Sequence, residues 1–209
     1  VTDANGTNIP FTQLDTFINV NWTATGRYKI TIAAGNDCGI SAENTLFVNV
    51  IDIPSAQTIN GDPTACLGQS AYNVPPNEFN TFDWTLSSGG AVFPIGNTAI
   101  VNWAITGNFD VNVIPSNECG TGPMSSFPVT IKAIPSEPSP IVGNSNICIS
   151  TQTYSVISEA DVNYNWSLSS GGTITSNGNI ATVNWATAGN HTIIVTPNNE
   201  CGTGSSRTI

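Results

Sequence analysis

Apolar and polar residues alternate along most of this chain with a period of two. In Asn163-Tyr164-Asn165-Trp166-Ser167-Leu168 the aromatic side chains fall on one face, and Thr81-Phe82-Asp83-Trp84-Thr85-Leu86 has the same arrangement. Such alternation marks a half-buried β-strand, because successive side chains of an extended backbone point to opposite faces. The pattern predicts strands over 71–74, 81–86, 98–103, 107–114 and 125–133. It predicts them again over 152–157, 162–168, 179–185 and 189–196, with a last strand opening near 203. Turn-forming clusters stand between them: Ser87-Ser88-Gly89-Gly90, Ser169-Ser170-Gly171-Gly172 and Ser176-Asn177-Gly178-Asn179. Helical spacing with capping residues is absent. Many short strands separated by Gly, Pro and Asn turns predict an all-β sandwich.

The pattern also returns at long range. Ala99-Ile100-Val101-Asn102-Trp103 through Asn117-Glu118-Cys119-Gly120-Thr121-Gly122 reappears as Ala181-Thr182-Val183-Asn184-Trp185 through Asn199-Glu200-Cys201-Gly202-Thr203-Gly204. A third copy runs from Ile18-Asn19-Val20-Asn21-Trp22 to Asn36-Asp37-Cys38-Gly39. The Trp anchors and the Cys anchors both step by 81 and then 82 residues. A fixed period of this length means an array of small domains. The expected units are 1–54, the later part of a truncated repeat; 55–135, a whole repeat; and 136–209, a repeat cut within its last strand. Ser205-Ser206 is matched to Ser125-Ser126, and the array is expected to be part of a longer protein. Asp52-Ile53-Pro54-Ser55 and Ile134-Pro135-Ser136-Glu137-Pro138 read as stiff linkers, since proline favours extended geometry.

Strand parity assigns the large aromatics. Val101 and Trp103 share a face, as do Tyr164 and Trp166. The reading places Trp22, Trp84, Trp103, Trp166 and Trp185 as core-packing residues, each bringing about 150–250 Å² of burial to a small domain.

The order Cys-x-Gly/Ser, Tyr-x-Val, aromatic-x-Trp, Gly-Gly, Val-Asn-Trp, Gly-Asn-aromatic/His and Asn-x-Cys-Gly resembles the PKD-like domains. These are immunoglobulin-like repeats of large surface and secreted proteins of Bacteroidetes, similar to repeats of gliding-motility adhesins exported by type IX secretion. The resemblance covers nearly the whole chain and implies tandem Greek-key sandwiches. One departure stands out. PKD domains proper carry Trp-Asp-Phe-Gly-Asp-Gly, whereas this chain has Trp84-Thr85-Leu86-Ser87-Ser88-Gly89-Gly90 and its copy at Trp166, without the carboxylates.

Charge narrows the partners. Four Lys+Arg against 14 Asp+Glu give a net charge of −10. Nucleic acid and anionic lipid both require a basic face, so neither is an expected partner. No apolar run approaches the roughly 20 residues of a membrane span.

Cysteine usage is the chemistry with the clearest pattern. Cys66 and Cys119 are 53 residues apart, as are Cys148 and Cys201, and Cys38 stands alone. Paired cysteines in small, core-poor units indicate an oxidising, extracellular compartment. All five are expected in disulfides, with connectivity open. One reading has a bridge per domain, Cys66–Cys119 and Cys148–Cys201. Against it, Cys66 precedes the second strand at one pole of the sandwich and Cys119 follows the sixth at the other. The second reading joins neighbours head to tail, pairing Cys66 with Cys201 and leaving Cys148 for a following domain. Free thiols or a metal site complete the alternatives. Zinc is disfavoured because there is no Cys-x-x-Cys and only one histidine.

Other chemistry has little to stand on. His191 replaces Phe109 within a strand, and a catalytic triad would rest on this single His. Asp37, Glu118 and Glu200 recur beside Asn36, Asn117 and Asn199, but two oxygens fall short of a calcium site. Asn side chains bonded to their own turn are the expected use. No catalytic residue, metal ligand or cofactor is predicted. The expected function is a stalk or spacer of a large surface adhesin, its partners being the neighbouring repeats of the same chain. The alternative is an accessory module binding a glycan or surface partner.

Overall fold

Two of the three units form sandwiches whose sheets are built from the alternating segments. The computed structural model describes residues 1–14 and 16–209. Every regular element among them is a β-strand. In the second unit one sheet orders Gly90–Ile95, Thr98–Trp103 and Gly68–Asn73, antiparallel throughout. The other runs from Thr81–Leu86 through Gly107–Asn117 to Ser125–Lys132 and closes with Thr64–Cys66, which is parallel to the last strand. Successive segments cross between sheets, giving an immunoglobulin-like Greek key.

The third unit repeats this plan. Thr151–Ser155, Ile180–Trp185 and Gly172–Asn177 make one sheet. Asn163–Leu168, Ile193–Asn199 and Arg207–Thr208 make the other. In the first unit the hairpin Phe11–Leu14 with Phe17–Val20 and the pair Gly26–Ile32 with Asn44–Val50 are the corresponding later strands.

Parity places the core. Tyr72, Trp84, Val101, Trp103, Val111, Val113, Val129 and Ile131 fill the second unit. Tyr154, Val183, Trp185 and Ile193 form one cluster of the third, with Val156, Tyr164 and Val195 in another. Trp84 and Trp103 are each 2% exposed and Trp185 8%. Trp166 is half-buried, packing against both third-unit clusters while its indole N–H donates to Gly178 O at 3.1 Å. Trp22 is also half-buried, with its ring 4.6 Å from that of Tyr28.

Several strand expectations need correction. Thr64–Cys66, Gly90–Ile95 and Gly172–Asn177 are strands that the alternation did not mark. Gly90–Ile95 and Gly172–Asn177 open on glycine and carry Pro94 or Ser176, and Thr64–Cys66 is too short to show a pattern; pairing with Trp103, Trp185 and Lys132 makes them sheet. The match of Ser205-Ser206 to Ser125-Ser126 is shifted by two. Val113 faces Ser125 and Val195 faces Arg207, so Arg207 takes the place of Ser125 and the period of 82 continues unbroken. His191 lies before its strand, which begins at Ile193. Phe109 pairs with Val129, whereas in the third unit the described pairing reaches only Ile193 against Ile209.

Candidate functional site at the joint between units

The Asn-x-Cys-Gly hairpin recurs in all three units with the same internal hydrogen bond. Asn199 Oδ1 accepts the Cys201 N–H at 2.8 Å, Asn117 Oδ1 that of Cys119 at 2.9 Å, and Asn36 Oδ1 that of Cys38 at 2.9 Å. The following residue has φ of 137° at Gly202, 143° at Gly120 and 145° at Gly39, a region that disfavours any side chain. The Asn-x-Cys-Gly motif is therefore a tight turn that projects its cysteine from one pole of the sandwich.

Two of these hairpins grip the chain arriving from the preceding unit. Asn199 Nδ2 donates to Ala133 O at 2.8 Å, and Asn117 Nδ2 to Asp52 O at 2.7 Å. Gly202 lies against Ile134, and Gly120 against Ile53. A Cβ at Gly204 would collide with the Pro135 carbonyl, and one at Gly122 with that of Pro54. The asparagine thus has two tasks: its oxygen shapes the turn and its amide holds the linker. Carboxamides with opposed acceptor and donor can do this, and a carboxylate cannot.

Cys201 closes the joint covalently. It is bonded to Cys66 of the preceding unit, with Cα atoms 5.5 Å apart at a sequence separation of 135. Cys66 reaches this position because its short strand runs parallel to Ser125–Lys132 and places Cys66 opposite Lys132, at the trailing pole. Lys132 adds two ion pairs across the joint, with Nζ 3.0 Å from Asp161 Oδ2 and 3.0 Å from Glu200 Oε1. The bond to Glu200, then that to Asp161, pushes the Lys132 pKa above its ordinary value. That contribution is complete below the unfolded lysine pKa, about 10.4, and is lost only as pH rises through the raised value.

The expectation of one bridge per domain, Cys66–Cys119 and Cys148–Cys201, is overturned. The eight-residue strand Ser125–Lys132 separates the two poles where Cys119 and Cys66 stand. At ~3.3 Å per residue it spans about 26 Å, against the ~7 Å that a disulfide tolerates between Cα atoms. The expectation that all five cysteines are bridged is corrected too: Cys38, Cys119 and Cys148 are unpaired and exposed. Cys119 nevertheless occupies the same seat one joint earlier, with its thiol 3.3 Å from Ile51 O.

The other candidates have structural uses. His191 stacks on Trp185 at 5.3 Å as Phe109 stacks on Trp103 at 5.6 Å. Its Nε2 donates to Thr187 O at 3.1 Å, which leaves Nδ1 to accept from the Ser170 hydroxyl at 3.0 Å. Glu200, the carboxylate of the recurring Asn-x-Cys-Gly turn in the third unit, is engaged by Lys132. The linker grip and the Lys132 cluster escaped sequence reading because their partners lie far apart in the chain. The recurrent Asn was the available signal, and it showed only the local turn.

A family model described as PKD-like domain matches residues 53–129 and 134–209. Domains A168–A170 from titin are similar with a TM-score of 0.51 and 12% identity, over 99% of this chain and 85% of that one. The chicken CNTN1 FN1–FN3 domains give a TM-score of 0.41 and 14% identity, over 91% and 78% of the respective chains. At these identities the likeness is one of fold. No characterised protein matches in sequence. Two successive family matches, laid over tandem immunoglobulin-like sandwiches, establish that the chain belongs to the PKD-like domain family.

Proposed function

We propose that these repeats are part of the stalk of a large secreted or cell-surface adhesin, projecting a distal binding region and bearing load. The observation that carries this reading is the disulfide between Cys66 and Cys201, which ties one repeat to the next rather than closing a repeat on itself. A catalytic or ligand-binding module gains nothing from fixing its neighbour, whereas a spacer gains stiffness. The linker grip supports the same reading, because it recurs at both joints with the same atoms. In this account the working units are 1–54, 55–135 and 136–209. Cys66 and Cys201 act covalently, Trp84, Trp103, Trp166, Trp185 and Trp22 act by packing, and no residue has a catalytic role.

A disulfide across a joint also fits an exported, extracellular setting. From the resemblance to gliding-motility adhesin repeats we propose, as that setting, the surface of a Bacteroidetes cell served by type IX secretion. No helix among the described residues is long and apolar enough to cross a membrane. Trp84, Trp103 and Trp185 are spent inside the sandwiches and are not platforms for stacking on a sugar ring. The test is a non-reducing peptide map of the oxidised chain. A peptide linking Cys66 to Cys201 is expected, and links from Cys66 to Cys119 and from Cys148 to Cys201 would overturn the reading.

A further inference from the structure

The charged residues of the closed joint stand directly beside its two cysteines. Cys66 lies opposite Lys132 in the parallel pairing, and the Leu67 N–H donates to Lys132 O at 2.9 Å. Glu200 immediately precedes Cys201. The 3.0 Å contact of Lys132 with Glu200 therefore joins the same two backbone segments as the disulfide. Asp161 supplies a second carboxylate, also at 3.0 Å. Its φ of 59° is the one left-handed backbone among the described non-glycine residues, a conformation that aspartate tolerates better than most. The cluster opens into a cleft of about 460 Å³ that Asn163 and Asn199 also line, so dissolved salt reaches it.

The repeat shows which of these charges belong to this joint alone. Glu118 stands 82 residues before Glu200, but Ile51 occupies the place of Lys132 and Phe79 that of Asp161. A glutamate before the hairpin cysteine is common to both joints, whereas the lysine and the aspartate are not. Chain connectivity alone favours other bonds. In an unfolded chain the Cys66–Cys119 and Cys148–Cys201 separations of 53 close about fourfold more readily than the separation of 135. The long loop needs a guide from the folded units.

We propose that Lys132 is a positioning residue for disulfide formation: by drawing Asp161 and Glu200 of the following unit onto the trailing pole of unit two, it selects Cys201 as the partner of Cys66. The oxidant is a small disulfide. One cysteine thiolate attacks it and expels one small thiolate. The other cysteine thiolate then attacks the protein sulfur of the mixed disulfide and expels the second. Two protein thiols lose two protons and two electrons, and the small disulfide is reduced to two thiols. The ion pairs act on the second attack, which requires the two protein sulfurs within bonding reach.

This inference rests on the stapled joint, and its test separates the two. The whole chain is reduced, folded, and oxidised with 2-hydroxyethyl disulfide, which is uncharged and is not steered by Lys132. Samples are alkylated at intervals and peptide-mapped. Cys66–Cys201 is expected to lead from the earliest times in the unaltered chain. K132M should form it about two- to tenfold more slowly, with more Cys66–Cys119 and Cys148–Cys201 links. D161N should fall between the two, and K132R should keep nearly the unaltered rate. In 1 M NaCl, where the screening length shrinks to about 3 Å, the ratio of the unaltered rate to that of K132M should fall to near one. Equal rates and equal links in K132M at low salt would overturn the inference and leave the stalk reading standing. A K132M deficit that persists in 1 M NaCl would also overturn it, because the lysine would then act through its bulk. If Cys66–Cys201 is missing from the unaltered chain, both readings fail.

Discussion

Asn199 carries two hydrogen bonds with one side chain, one shaping its hairpin and one reaching Ala133 of the preceding linker. Asn199→Ala removes both and leaves the Ala133 carbonyl without its donor. At about 1 kcal/mol per bond, the change is expected to cost roughly 1–3 kcal/mol. Asn199→Asp keeps the acceptor and loses the donor, so it should preserve the turn and release the linker. Amide exchange at Cys201 reads the turn and the Ala133 carbonyl carbon shift reads the linker, and an Ala133 carbonyl shift unchanged in Asn199→Asp would contradict the assignment. The core follows ordinary packing. Trp103 is buried and stacked on Phe109, so Trp103→Ala should cost about 3–5 kcal/mol and unfold the second unit first. Denaturant melts followed by Trp84 would detect this as a transition earlier than that of the third-unit Trp residues, and an unshifted Trp84 melt would refute it. At this scale the sequence was largely readable. Alternation put Trp84, Trp103 and Trp185 inside because a strand has only two faces. It could not show that Trp166 reaches the Gly178 carbonyl, which depends on the turn folding back over the ring.

Among elements, the hairpin and the linker form one interlocking piece. Gly204 allows the hairpin to lie directly on the Pro135 carbonyl, and its N–H donates to Pro197 O at 2.9 Å. Gly204→Ala should leave both sandwiches folded and hold the hairpin off the linker. The expected result is slower Cys66–Cys201 formation during oxidative refolding, with an unchanged circular dichroism spectrum. Formation at the normal rate would show that the close approach is dispensable. The strands with clear alternation were legible in the sequence, whereas Gly90–Ile95 and Gly172–Asn177 were not. Their edge positions give them partners on one side only, so little in their own composition is selected to look like a strand. The parallel strand Thr64–Cys66 was hidden for a related reason. Three residues make no pattern, yet this strand decides which pole Cys66 occupies.

For the whole molecule, the period of 81 and 82 residues made the array evident and left the joint open between two connectivities. Settling it needed the location of each cysteine relative to the poles, a property of the topology rather than of spacing. The bond that results changes how the molecule carries force. When the chain is pulled from its two ends, load passes from Cys66 directly to Cys201, and most of units two and three is taken out of the path. It also closes a loop large enough to stabilise the folded pair by about 2–5 kcal/mol through the unfolded state. The most direct test of the stapled joint is single-molecule extension of the chain from residues 1 and 209, oxidised and then reduced. The 135 residues spanned by the bond stay hidden in the oxidised molecule, and reduction should lengthen the fully extended chain by about 450–490 Å at ~3.3–3.6 Å per residue. An identical contour length in both states would contradict the account, because it would mean that the two units are not joined across their boundary.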